Sequence, residues 1–182
     1  MHKFIYVFAC CLVLIFCTSY ELIDNNISFS GNASNDLYRA MQQQGIKCKR
    51  YNSPSEAIAK AKKGSGVIIT ADGYPAKRVS ILPADINLAK VKKLRVYIEY
   101  PSSFPGIQIS QDEFVTNLER IVVTTNAFAP GLNSMSLLAI NEGYILKTNV
   151  QQPLLVAAKV AGFDRAVYGV DDTNKYPVLY RQ

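Results

Sequence analysis

Gly66-Val67-Ile68-Ile69-Thr70 is a continuous apolar run that ends just before the turn-forming pair Asp72-Gly73. Runs of this kind are typical of a parallel strand that is covered on both faces. The segment before it has the signals of a helix: Ser53 as N-cap, Pro54 at the first helical position, Glu56 at the third, and Gly64 as the stop. A capped helix followed by a buried strand indicates an α/β fold.

The same alternation continues on both sides of this strand. Apolar periodicity predicts helices over residues 34–44 and 83–93, and strands over residues 46–51 and 94–99. Three helix-then-strand units predict an open, mostly parallel sheet. From residue 120 the pattern changes to short strands with turns between them, which predicts added β-structure at the edge of the same sheet, with antiparallel pairing left open. These strands are predicted at residues 120–125, 136–139, 143–148, 153–161, 165–168 and 178–180.

The N-terminus has the pattern of a signal peptide over residues 1–19, in which Lys3 precedes an apolar run over residues 4–16. One interpretation is cleavage just before Tyr20. The other is lipidation of Cys17, because residues 14–17 resemble the lipobox of bacterial lipoproteins. An uncleaved anchor is a third alternative. Either of the first two predicts an exported protein, periplasmic or attached to the outer membrane, that meets the membrane only through a lipid on Cys17. A polar segment over residues 20–33 would then precede one domain over residues 34–182.

Composition excludes several classes of site. The 182 residues include 20 basic and 14 acidic side chains, and the lysines are spread over helix faces, so no nucleic-acid partner is predicted. Of the four cysteines, only Cys48 lies outside the leader region, and the one histidine, His2, lies within it. The exported domain would therefore lack the histidine of a Cys-His or Ser-His-Asp arrangement. No metal and no cofactor are predicted.

Candidate ligand-binding residues follow the predicted strands. In open α/β sheets, ligands bind beyond the carboxyl ends of the parallel strands. At those ends, carboxylates and tyrosines could hold sugar hydroxyls and stack on a pyranose ring. The alternative is that these residues only form turns and strand exits. The candidates are Asp72, Tyr74, Glu99, Tyr100, Thr125 and Asn126.

The order of segments resembles the class I glutamine-amidotransferase-like domains attached to bacterial carbohydrate-degrading lipoproteins, especially those of gut Bacteroidetes. The resemblance covers most of residues 28–181 and rests on residues 67–75 (VIITADGYP), 94–101 (LRVYIEYP) with Pro105-Gly106, 155–164 (LVAAKVAGFD) and 166–169 (AVYG). It implies a flavodoxin-like fold. Family members that hydrolyse glutamine carry a Gly-x-Cys-x-Gly elbow and a downstream histidine, and this chain has neither. The resemblance therefore implies the scaffold without the hydrolase chemistry.

Three functional hypotheses remain. The first is a non-catalytic carbohydrate-associated domain that binds a glycan or packs against a glycosidase partner. The second is a glycoside hydrolase with Asp72 and Glu99 as its carboxylate pair. The third is a purely structural interaction domain. We also expect that the chain is incomplete as a functional unit, either a truncated gene product or one piece of a larger glycan-processing protein, because no final helix follows residues 176–182. An uncovered sheet face would then promote self-association.

Overall fold

The computed structural model describes residues 26–182. The signal peptide, Cys17 and most of the polar segment predicted over residues 20–33 lie outside the described residues. The first part of the described chain alternates strands and helices: β1 (Ile27–Ser30), α1 (Asp36–Gln43), β2 (Cys48–Tyr51), α2 (Pro54–Lys60), β3 (Gly66–Ile69), α3 (Pro83–Val91) and β4 (Arg95–Ile98). The remainder is β-structure: β5 (Ile109–Val115), β6 (Arg120–Val123), β7 (Leu137–Leu138), β8 (Tyr144–Thr148), β9 (Leu155–Ala158) and β10 (Lys175–Leu179).

Four parallel strands form the first sheet, in the order β2-β1-β3-β4. Phe29 of β1 is level with Ile68 of β3, which is level with Tyr97 of β4. The α/β class is therefore confirmed. The structure corrects the domain boundary predicted at residue 34, because β1 lies inside the segment that was interpreted as polar and occupies an inner position of the sheet.

Helices α2 and α3 cover one face of this sheet. Val67 and Ile69 point to that face and are buried with Ile58 of α2 and Ile86 of α3. The predicted cap is present, since the Ser53 hydroxyl accepts a hydrogen bond from the Glu56 N–H at 3.2 Å. The helix ends at Lys60, earlier than the Gly64 stop that the sequence suggested.

The other face is covered less completely. Phe29 points to it, because side chains alternate along a strand and Ser28 points toward α2 and α3. Its ring packs against Tyr38 of α1, with ring centroids 5.0 Å apart. Farther along this face, Ile68 is half-buried and Tyr97 is 41% exposed. Helix α1 therefore covers the β1 side of the face and leaves Tyr97 accessible.

The second half of the chain forms two separate antiparallel sheets, with strand orders β10-β9-β6-β7 and β5-β8. Antiparallel pairing, left open by the sequence, is observed. The expected position on the edge of the parallel sheet is wrong, because none of these strands joins it. Residues 165–168 form no strand and contribute one isolated bridge, from Arg165 to Ser136. Strand β5 was not predicted.

Candidate functional site

Asp72 lies just beyond the carboxyl end of β3, where the sequence placed a ligand site. Its Oδ1 accepts hydrogen bonds from Asn35 Nδ2 and from the Thr70 hydroxyl, each at 3.3 Å. Asn35 is the N-cap of α1. The carboxylate therefore joins the beginning of α1 to the end of β3, and the rest of the side chain is exposed.

Glu99 follows β4 and is hydrogen-bonded to the chain just after the neighbouring strand, β3. Its Oε2 accepts a hydrogen bond from the Ala71 N–H at 2.7 Å. This short bond satisfies a backbone donor that no strand pairing uses, because β3 ends at Ile69. Both predicted carboxylates are thus hydrogen-bonded to the protein itself.

Tyr74 and Tyr100 are brought together as the sequence suggested. Their rings meet edge to face with centroids 4.9 Å apart. Strand β8 fixes the exposed member of the pair, because the Tyr74 hydroxyl accepts a hydrogen bond from the Tyr144 N–H at 2.5 Å and lies 3.3 Å from the Tyr144 carbonyl. Tyr74 is 43% exposed and Tyr100 is buried. Only Tyr74 offers a ring to solvent.

Behind the two tyrosines lies a polar cluster that the sequence did not indicate. The Arg78 guanidinium donates to the carbonyls of Ser110 and Gln111, both at 2.8 Å, and to Glu113 Oε1 at 3.1 Å. The guanidinium carbon also lies 5.8 Å from the centre of the Tyr100 ring. Arg78 thus connects the loop after β3 to β5.

Tyr100 is the most constrained residue of this cluster. It has a φ of +48°, which is uncommon for a bulky side chain. Its buried hydroxyl makes no hydrogen bond of standard geometry, although it lies close enough to Glu113 for the two groups to influence each other. Burial first, and the Glu113 carboxylate second, raise the pKa of Tyr100. The Tyr100 hydroxyl and then Arg78 lower the pKa of Glu113.

Thr125 and Asn126 lie apart from this edge in the fold. They follow β6, which belongs to the larger antiparallel sheet, so the rule for carboxyl ends of parallel strands does not apply to them. The Thr125 hydroxyl accepts from the Ala127 N–H and Asn126 Oδ1 accepts from the Ser134 N–H, each at 3.1 Å. Both side chains stabilise their own loop.

The N-terminus of α1 is poorly suited to an anion. Asn35 Oδ1 already accepts from the N–H groups of Leu37 and Tyr38, at 3.0 and 3.3 Å. Asp36 occupies the first turn, and Asp72 is bonded to the cap. Two carboxylates at a helix N-terminus oppose a phosphate there.

Three further features of residues 26–182 bear on function. This part of the chain contains no group of three or more histidine, cysteine, aspartate or glutamate side chains placed to hold a metal ion. None of its helices has the length and apolar character that a membrane span requires. Cys48 is a half-buried thiol that accepts a hydrogen bond from Gln42 Nε2 at 3.3 Å. Burial raises the pKa of this thiol, which opposes its use as a nucleophile.

Comparisons of the chain with family models, curated proteins and solved structures gave no match. The resemblance to glutamine-amidotransferase-like domains therefore stays a hypothesis.

Proposed function

We propose that this protein is an exported, non-catalytic, carbohydrate-associated α/β domain that serves a polysaccharide-degradation system as a glycan-binding or accessory module. The observation that carries the proposal is the use of Asp72 and Glu99. Asp72 accepts a hydrogen bond from the cap of α1, and Glu99 accepts one from the end of β3. Both carboxylates therefore hold the strand ends together, whereas a glycosidase would need them as its acid and its base. An edge built in this way suits binding better than catalysis.

The strand order supports the flavodoxin-like scaffold in this proposal. A flavodoxin-like sheet has the order 2-1-3-4-5, and β2-β1-β3-β4 reproduces its first four positions with parallel pairing throughout. The amidotransferase-like domains named above share that scaffold. Because the sequence lacks their elbow cysteine and paired histidine, the proposal keeps the scaffold and omits glutamine hydrolysis.

Tyr74 is the group at this edge best placed to contact a sugar. Its ring is exposed and is held by hydrogen bonds to the Tyr144 backbone, so little side-chain entropy is lost on binding. The exposed Asp72 side chain nearby adds an acceptor for sugar hydroxyls. Stacking on an aromatic ring together with one carboxylate is a common arrangement for a neutral saccharide.

A glycan array tests the proposal. The full chain would be expressed with its own N-terminal segment, purified after export and screened against neutral and acidic glycans. For a neutral glycan that binds, we expect Tyr74→Ala to weaken affinity about fivefold through the lost ring contact, and Tyr74→Phe to keep most of it. Absence of binding to every glycan, or equal affinity of Tyr74→Ala and the parent protein, would count against glycan binding at this edge.

A second candidate function, an interaction domain, is favoured by one loop. Phe163 and Tyr168 are each 88% exposed, and Val167 between them is exposed too. The loop is nevertheless well ordered by backbone hydrogen bonds, including Leu137 N–H to the Asp164 carbonyl at 2.9 Å. Exposed apolar groups on a fixed loop are typical of protein contacts. For an interaction domain, we expect Phe163→Ala to reduce self-association or partner binding without changing glycan affinity. Size-exclusion chromatography with light scattering measures the association.

A further inference from the structure

We infer that the incompletely covered face of the parallel sheet binds a saccharide that carries an acidic group, a carboxylate or a sulfate. This inference rests on the proposed carbohydrate-associated function but places its charged ligand at a different surface from Tyr74. The surface is a trough of about 930 Å³ that begins at the amino ends of β1, β3 and β4. We call it the basic trough. Its lining includes Ile27, Ile68 and Tyr97, with Lys62, Lys63, Arg95 and Arg181.

The floor of the basic trough follows from side-chain alternation. Ile27, Ile68 and Tyr97 point to the same face, because Ile68 is level with Tyr97 and two residues beyond Gly66, which is level with Ile27. Gly66 supplies no side chain, so the space between Ile27 and Arg95 stays open. A Cβ placed on Gly66 would meet only Ile27 Cγ1, at 3.7 Å. The backbone conformation at Gly66 does not require a glycine, and the missing side chain leaves room for a ligand.

Charge sets the kind of ligand. Among residues 26–182, the charged side chains that line the basic trough are the four basic ones named above, and none of these described lining residues is an aspartate or a glutamate. Arg95 and Tyr97 lie on one face of β4, two residues apart, which is about 6.6 Å along a strand. A sugar ring stacked on Tyr97 can therefore present an acidic group to the Arg95 guanidinium, which binds carboxylates and sulfates in a bidentate manner.

Glu99, at the carboxyl end of β4, sets the orientation of the ligand in the basic trough. Glu99 lies on the same face as Tyr97, two residues farther on, and after burial it is the second cause of the raised pKa of Tyr97. A negative charge on the ligand is therefore repelled at that end. The acidic group should point toward Arg95 and Lys63, with the uncharged part of the ligand over Tyr97.

A saccharide fits this surface better than a lipid. An acyl chain gains affinity when most of its surface is buried in an apolar pocket. The basic trough instead exposes 41% of Tyr97, and its apolar floor consists of two isoleucines beside one aromatic ring. An exposed aromatic ring with a basic rim matches a flat, hydrated, anionic sugar.

Calorimetry of the full exported chain with two matched probes tests the inference. The probes are trigalacturonate and its fully methyl-esterified form, which has the same rings and no charge. We expect trigalacturonate to bind more tightly, by about tenfold, because hydrogen bonds from a guanidinium to a carboxylate are stronger than those to a neutral ester. Added salt should weaken trigalacturonate binding and leave the ester unchanged.

Three variants locate the site. Gly66→Val fills the floor without changing charge and should reduce trigalacturonate affinity at least tenfold. Arg95→Gln should abolish the preference for trigalacturonate over the ester, and Tyr97→Ala should weaken both probes. Lys147→Gln removes an exposed charge on β8, outside the basic trough, and should change neither affinity. Urea unfolding of each variant separates lost binding from lost folding, and Tyr97→Leu, which has no aromatic ring but keeps much of the volume, replaces Tyr97→Ala if the alanine variant does not fold.

The outcomes distinguish this inference from the proposed function. Unchanged trigalacturonate affinity in Gly66→Val and Arg95→Gln would overturn the basic trough as its site. If glycan binding is then lost in Tyr74→Ala, the proposed function stands and only this inference falls. Tighter binding to phosphatidylglycerol vesicles than to trigalacturonate, lost in the same variants, would overturn the saccharide in favour of an anionic lipid. Absence of binding to any saccharide would remove both proposals.

Discussion

Replacing Arg78 with methionine should lower the free energy of unfolding, because Arg78 connects the loop after β3 to β5. The side chain is only 14% exposed, and its guanidinium makes two hydrogen bonds of 2.8 Å to backbone carbonyls of residues 110 and 111 besides the ion pair with Glu113. Hydrogen bonds to a charged donor contribute about 1.5–3 kcal/mol each, and water recovers part of this in the variant. Since methionine keeps most of the packing volume, we expect Arg78→Met to lower the free energy of unfolding by about 3 kcal/mol.

Urea unfolding of the parent protein and the variant measures this difference. Arg50→Met is the matched control, because Arg50 also donates to a backbone carbonyl, that of Gly31 at 3.0 Å, but is exposed. Its loss should cost less than about 1 kcal/mol. An Arg78→Met loss no larger than that of Arg50→Met would refute the view that this buried guanidinium joins β5 to the parallel sheet.

The ion pair also predicts a pH dependence. The pKa of Glu113 is lowered by the Tyr100 hydroxyl and by Arg78. A carboxyl whose pKa is lower in the folded state stabilises the fold above its unfolded pKa, and this contribution is lost as the pH falls through the folded pKa. The stability difference between the parent and Glu113→Gln should therefore be greatest near neutral pH and shrink below about pH 4. A difference that is constant from neutral to acid pH would contradict the assigned pairing.

Three other predictions follow from single residues. Gly31→Ala should destabilise the protein by about 1–3 kcal/mol, since its Cβ would lie 2.1 Å from the Thr70 hydroxyl oxygen, while Gly66→Ala should be nearly neutral in the same urea assay. Burial raises the pKa values of Tyr97, Tyr100 and Tyr180, so a spectrophotometric alkaline titration should show a late phase; Tyr100→Phe should lower its amplitude by one tyrosine, and an unchanged amplitude would contradict the burial of Tyr100. Intact-mass analysis of the exported protein should find a first residue at a lipidated Cys17 or near Tyr20, and retention of His2 would contradict both.

Local signals in the sequence were sufficient for the elements around β3. Ser53 caps its helix through the expected bond to Glu56, and β3 and β4 lie within the apolar runs that predicted them. These features depend on neighbouring residues only. They can therefore be read without knowing which strands pair.

Strand β1 was missed for a physical reason. Its sequence Ile27-Ser28-Phe29-Ser30 alternates apolar residues with serines over only four residues, and both serines are buried toward α2 and α3. Ser30 contributes its carbonyl, which accepts from the Thr70 N–H at 2.9 Å. The strand is short and lies between the polar residues 24–26 and Gly31-Asn32, so its two apolar residues do not stand out from a polar segment.

The Arg78 cluster was missed because its partners are distant in sequence. Arg78 and Glu113 are 35 residues apart, and β5 contains the polar run Ser110-Gln111-Asp112-Glu113, which is typical of an exposed segment. In the fold, Glu113 pairs with Leu146 of β8, and Arg78 connects it to the loop after β3. Burial of Tyr100 likewise depends on this packing, so its exposure was overestimated from the sequence.

The position of β5 and β8 also changes where a ligand should be sought. The rule that ligands bind beyond the carboxyl ends of parallel strands assumes that those ends are free. Here Tyr144 of β8 is bonded to Tyr74, and Arg78 is bonded to β5, so the protein's own chain occupies part of that edge. The face around Ile68 and Tyr97 is more open and has a basic rim. Because the added antiparallel strands close part of that edge, the ligand should be sought on the incompletely covered face, where the basic residues lie.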